Sequence, residues 1–144
     1  MANLADTKER VQRFLTQLAS VNIDEHGRYS IRHESTRVFI EVEEFGDDQT
    51  WVRIVCPLLL GVTLSPELYE YVALHSDDYK YGILGVRLDP ETEGKGAIFL
   101  TYGLLGTTLD PDELKLAVGM LVTTGNNLDD ELKGKFGGER FHEE

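Results

Sequence analysis

Cysteine, tryptophan and proline are scarce in this 144-residue chain, at 1, 1 and 4 copies, and 14 Lys and Arg face 26 Asp and Glu. Each shortage excludes something. A single cysteine, Cys56, forms no internal disulfide, and its place in the apolar run 52–60 fits a buried thiol in a reducing, cytoplasmic setting. No apolar run approaches the roughly 20 residues of a membrane-spanning helix, and no basic start followed by an apolar stretch marks an export signal. A net charge of -12 repels phosphate backbones and anionic lipid heads, which argues against nucleic-acid and membrane partners. The length suits one domain that buries about two thirds of its unfolded surface without a disulfide or metal. Residues 1–144 therefore read as a single unit, with 1–5 and 137–144 as loose ends.

What the chain does have is one junction used twice. Leu59-Leu60-Gly61-Val62-Thr63-Leu64-Ser65-Pro66-Glu67-Leu68 returns 45 positions later as Leu104-Leu105-Gly106-Thr107-Thr108-Leu109-Asp110-Pro111-Asp112-Glu113-Leu114, with one residue inserted after the proline. In both copies an apolar strand end passes a glycine into Ser-Pro or Asp-Pro. There the short acceptor caps a helix and proline fills its first turn at no hydrogen-bonding cost. Around these anchors the apolar spacing predicts a helix over 7–21 capped by Asp6, strands over 29–33, 37–45 and 50–60, and a helix over 66–75. Strands over 82–88 and 97–105 and a helix over 111–136 follow, the last weakened by a kink or break at Gly125-Asn126-Asn127. The order helix, three strands, helix, two strands, helix makes an α+β domain, its antiparallel sheet covered by helices mainly on one face.

The sheet's other face then carries the functional question. Alternation puts Val38, Ile40 and Val42 with Val52, Ile54 and Cys56 in the core, and leaves Phe39, Trp51, Arg53 and Val55 opposite, with Tyr29 or Ile31 from the first strand as further members. Aromatic side chains rimmed by charge suit a protein-binding patch, although cross-strand pairing that steadies the sheet would place them equally well. The second helix presents Leu68, Tyr69, Tyr71 and Val72 around most of its circumference, which suits packing on two sides and a contact between two copies.

Signs of chemistry are few. Asp89-Pro90-Glu91-Thr92-Glu93-Gly94 starts like a calcium loop but has Leu100 where the bidentate glutamate belongs. Histidines 26, 33, 75 and 142 fit no zinc spacing, and Asp129-Asp130-Glu131 reads as a solvated face or helix-end loop rather than an acid/base pair. No nucleophile elbow and no phosphate-cradling glycine loop is present, so neither a cofactor, a metal nor an enzyme is expected. Two non-enzymatic readings remain: a peptide-binding protein or adaptor, and a small-ligand sensory domain with its pocket around Tyr69, Tyr79 and Tyr81.

The chain resembles the fold shared by type III secretion chaperones and YbjN-like proteins, and more narrowly an actinobacterial group of YbjN-type peptide-binding chaperones. The resemblance rests on Leu64-Ser65-Pro66-Glu67-Leu68, Val72-Ala73-Leu74-His75-Ser76-Asp77-Asp78-Tyr79, Gly82, Leu104-Leu105-Gly106 and Leu109-Asp110-Pro111-Asp112-Glu113-Leu114. Leu128-Asp129-Asp130-Glu131-Leu132 and Phe136-Gly137-Gly138 complete it, so that it spans most of the chain from Arg37 onward. It implies an acidic, non-enzymatic, often dimeric domain that holds an extended client against its first helix and first three strands. It also implies a dimer contact through the second helix and the fourth and fifth strands.

Overall fold

The computed structural model describes residues 4–141, and its elements follow the apolar periodicities closely. In chain order they are α1 (Leu4–Thr16), β1 (Asn22–Ile23), β2 (Tyr29–His33), β3 (Thr36–Phe45), β4 (Gln49–Thr63) and α2 (Pro66–His75). They continue as β5 (Ile83–Leu88), β6 (Lys95–Leu105), α3 (Pro111–Phe136) and β7 (Glu139–Arg140). Both repeated junctions are helix starts. Ser65 Oγ accepts from Leu68 N at 3.2 Å, and Asp110 Oδ1 accepts from the amides of Asp112 and Glu113 at 2.8 and 3.3 Å. Each thereby satisfies donors that a helix start leaves bare.

The seven strands form one antiparallel sheet in the order β1-β2-β3-β4-β6-β5, with β7 added to β4. β4 is the central strand and pairs with β3 on one side, from Phe39↔Val55 to Phe45↔Gln49. That pairing stops before Pro57, which has no N–H to give. Past it, β7 takes over the same strand at Leu59↔Arg140 and Leu60↔Glu139. β6 lines the opposite side for almost the whole length of β4, so α2 and β5 are a detour between two strands that lie side by side.

One core holds the helices to the sheet. Val11 and Leu15 of α1, Leu68 and Val72 of α2 and Leu114, Leu121 and Leu132 of α3 join Val38, Ile40, Val52, Ile54, Cys56, Ile98 and Leu100 in a single buried cluster. Among the described residues no helix packs on the opposite face.

Several expectations change. α1 begins at Leu4 and ends at Thr16, where the Thr16 hydroxyl donates to Arg13 O at 2.8 Å, so Asp6 lies inside the first turn and Leu18 and Val21 beyond the helix. Of the ends expected to be loose, Leu4 and Ala5 are helical and Glu139 and Arg140 are paired strand. The helix α3 runs unbroken through Gly125-Asn126-Asn127. Gly125 faces the sheet, where a Cβ would stand 2.7 Å from Cys56 Sγ, and so its lack of a side chain is what lets helix and sheet touch. Asn126 is held by the β2–β3 turn, its Nδ2 donating to Glu34 Oε2 at 2.6 Å and its Oδ1 accepting from Ser35 Oγ at 2.7 Å. Asp129 is not solvated: it is 2% exposed, and its Oδ2 shares the one Ser35 hydroxyl proton with Asn126 Oδ1, each oxygen 2.7 Å from Ser35 Oγ.

Candidate functional site

The helix-free face is built in rows, because side chains of paired residues stand on the same side of an antiparallel sheet. One row crosses Ser30, Phe39, Val55, Thr101 and Ile83, and the next Glu41, Arg53 and Gly103. A third crosses Glu43, Trp51 and Leu105. Arg32 pairs with Arg37 on the same side, and Phe99, Gly85, Ala97 and Arg87 extend it over β6 and β5.

The two aromatic anchors expected here sit on this face and are half-buried. Trp51 lies flat on the backbone of Gly103, where any Cβ would run into the indole, and meets the Phe45 ring edge-on at 5.5 Å. Phe39 carries the Arg28 guanidinium over its ring at 4.8 Å and meets Phe141 edge-on at 5.5 Å. Val55, beside it, is only 6% exposed. Arg53 is exposed, with Nη2 3.5 Å from Glu43 Oε1. Around Trp51 and Arg53 lies a shallow hollow of about 450 Å³ that reaches Ile83, Arg87 and Thr101.

Tyr29 and Ile31 are not on this face. They pair with Ile40 and Val38, which puts them in the core, and the Tyr29 hydroxyl donates to Lys8 O of α1 at 3.2 Å. Their mistaken placement follows from treating a strand in isolation: Tyr29, Ser30 and Ile31 are all buried, so alternation within β2 says little about which side is which. Phe99, Ile83, Leu105 and Arg87 also belong to the face. Alternation within β5 and β6 separates them from Leu84, Ile98 and Leu100, but nothing local says that β6 runs beside β4.

Leu68 and Val72, expected at a contact between copies, are consumed by the protein's own core at 0% and 9% exposure. Tyr71 stacks between His75 and Phe136 at 4.4 and 5.4 Å, and Tyr69 points outward at 47% exposure. The outward apolar residues on this side are Tyr69 and Leu74 of α2 with Leu88 of the edge strand β5. The tyrosines of the small-ligand reading do not converge. Tyr79 and Tyr81 pack against the core, Tyr81 against Tyr102 at 5.1 Å, and the hollow beside α2 is lined by Tyr71, Leu74 and Phe136 and by none of the three.

Polar chemistry is mostly local bookkeeping of hydrogen bonds. Asp89 accepts from Glu91 N at 2.9 Å, an Asx-type turn that accounts for the calcium-like stretch. Asp24 is held below the usual carboxylate range, chiefly by the hydrogen bond from the Arg28 amide. Burial, with a smaller push from the Asp129 carboxylate, raises the Cys56 thiol to about 12, so it stays neutral and inert. His75 Nδ1 lies 2.7 Å from Asp78 Oδ2 and His26 beside Glu25, while His142 lies outside the described residues. Among the described residues no cluster of three or more His, Cys, Asp or Glu is placed to hold a metal, and no helix is long and apolar enough to cross a membrane.

A chain in the crystal structure of the ExsC-ExsE complex shares this architecture: it aligns with a TM-score of 0.61 at 16% identity, over 90% of the present chain and 96% of its own. At that identity the likeness speaks for the fold. No curated protein matches by sequence. The model of the family described as T3SS (YopN, CesT) and YbjN peptide-binding chaperone 1 matches residues 5–144, nearly the entire length, and the chain therefore belongs to the TY-Chap1 family of peptide-binding chaperones.

Proposed function

We propose that the protein is a non-enzymatic chaperone or adaptor that holds an extended segment of a client polypeptide on the helix-free face of its sheet. The observation that carries this is the one-sidedness of the slab: a continuous core under three helices, and opposite it a surface where Phe39, Trp51, Phe99 and Ile83 stand among arginines. Apolar side chains of the client dock between these residues. The edge of β2 beyond Ser30, which the short β1 does not cover, takes main-chain hydrogen bonds. The membership in a peptide-binding family supports the same reading.

The test is capture of native partners from the host by the wild-type chain and by a Phe39→Ser/Trp51→Ser variant. Loss of the co-purifying polypeptides is expected; undiminished capture would remove this surface from the function. The reading includes a homodimer formed through the outward apolar residues of α2 and β5, with Leu74, 66% exposed, at its centre. Light scattering at micromolar concentration checks it: a dimer mass is expected for the wild type and a monomer mass for Leu74→Glu.

A further inference from the structure

The protein is acidic overall, yet the helix-free face is not. Arg32 and Arg37 stand on it as paired neighbours, Arg53 and Arg87 line its hollow, and Arg28 lies over Phe39. Against these five arginines the face presents Glu41, Glu43, Glu139 beside Leu60 and, at its border, Asp24, which is already bound to Arg28 Nε at 2.8 Å. The remaining carboxylates, the large majority of 26 Asp and Glu, lie elsewhere in the chain. Two of the guanidiniums lie over aromatic rings, Arg28 over Phe39 at 4.8 Å and Arg87 over Phe99 at 4.5 Å. A guanidinium held over a ring can still turn its N–H edge to a carboxylate: Arg28 already gives Nε to Asp24, and Arg87 stands ready to receive one. An apolar surface and carboxylate receptors therefore alternate across the same rows.

The chain's own end already places a ring on this surface. Past β7 it brings Phe141 edge-on to Phe39 at 5.5 Å, and the sequence continues His142-Glu143-Glu144. An aromatic ring of the chain's own is thus seated against this face.

From this we infer that the client segment is acidic and carries an aromatic residue, its ring docking beside Phe39 and Trp51 and its carboxylates meeting Arg37, Arg53 and Arg87. The inference rests on the peptide-binding reading and adds the chemistry of the partner. The charge of the whole chain does not oppose it. At physiological ionic strength the screening length is about 8 Å, so a segment lying on the face feels the arginines under it rather than carboxylates on the far side of the helices. Crossing from β2 to β5 spans roughly 20 Å, the length of about six extended residues.

The experiment is fluorescence anisotropy with the full-length chain and labelled peptides of about ten residues, each with two phenylalanines among glutamates, glutamines or lysines, and a single-stranded DNA of similar length. The glutamate peptide is expected to bind about ten-fold more tightly than the lysine peptide, to weaken as salt is raised, and to lose that advantage on Arg53→Glu/Arg87→Glu. Both arginines are exposed, and Arg53→Gln/Arg87→Gln, which sets no glutamate opposite Glu41, is expected to lose the same advantage while keeping the wild-type unfolding midpoint within a few degrees. Phe141→Ala, which withdraws the resident ring from Phe39, is expected to tighten the glutamate peptide several-fold; unchanged or weaker binding overturns the seat at Phe39. Lysine peptide bound as well as glutamate peptide, an arginine reversal without effect, or DNA bound as tightly as the glutamate peptide overturns the inference. Equal binding of all three peptides, abolished by Phe39→Ser/Trp51→Ser, overturns the acidic preference while peptide binding stands. Binding of none of them overturns both.

Discussion

At the residue scale, glycine and cysteine at the α3–sheet contact decide more than their size suggests. Gly125→Ala improves helix propensity by about 1 kcal/mol, but the new Cβ would meet Cys56 Sγ at 2.7 Å and Leu58 and Thr36 at 3.3 Å in a packed interior. Overpacking of that kind costs about 1–3 kcal/mol, so the clash wins and the melting point falls by a few degrees. Calorimetry of Gly125→Ala and of Gly125→Ala/Cys56→Ala separates the two effects, since shortening Cys56 makes the room that the methyl needs. Cys56 also makes an alkaline prediction. Its thiol is raised from 9.0 to about 12, so between those values the unfolded chain has released a proton that the folded chain keeps. Stability then declines above pH 9 by up to about 1.4 kcal/mol per pH unit. Urea titrations at pH 8 and pH 10 are expected to show a smaller loss for Cys56→Ala than for the wild type. Buried tyrosines such as Tyr29 titrate in the same direction at higher pH in both.

At the scale of elements, the two helix starts differ in strength although they come from one repeated string. Asp110 serves two amides and adds a negative charge at the positive end of α3, a helix of 26 residues; Ser65 serves one amide at the start of α2, a helix of 10. Asp110→Ala is therefore expected to cost about 1–2 kcal/mol and Ser65→Ala about half of that, read from the denaturant midpoints of the two variants. The edge element β7 is stabilised by two backbone pairs on β4 and by Arg140 Nη1 2.6 Å from Asp130 Oδ1. So few contacts place its opening at the low end of the local stabilities, and hydrogen exchange at Glu139 and Arg140 is expected to run far ahead of exchange in Ile54 or Cys56.

At the scale of the whole molecule, the helices lie on one side of the sheet and, among the described residues, none covers the other side, where the Phe141 ring meets Phe39. Trp51, the single tryptophan, lies on that side and makes a built-in reporter. Its emission is expected to shift and saturate when a client polypeptide is titrated in, and an unchanged spectrum at saturating client would mean that binding occurs elsewhere. Gly103→Val, which removes the bed on which the indole lies, is expected to alter the emission of the free protein and to weaken client capture together.

Much of this was legible in the sequence because it depends on near neighbours. The two capped helix starts, the extents of β2, α2 and α3, the buried side of β3 and β4 and the inert thiol follow from spacing, cap chemistry and charge, all interactions of short range along the chain. What only the tertiary structure decided is which strand lies beside which. The detour through α2 and β5 returns β6 to β4, and that long-range pairing sets Phe99, Ile83 and Arg87 next to Trp51 and Arg53. Register with β3 turns Tyr29 and Ile31 inward, the core claims Leu68 and Val72, and the chain end comes back to Phe39. These depend on contacts between residues far apart in sequence, whose loop-closure and packing energies no local pattern records.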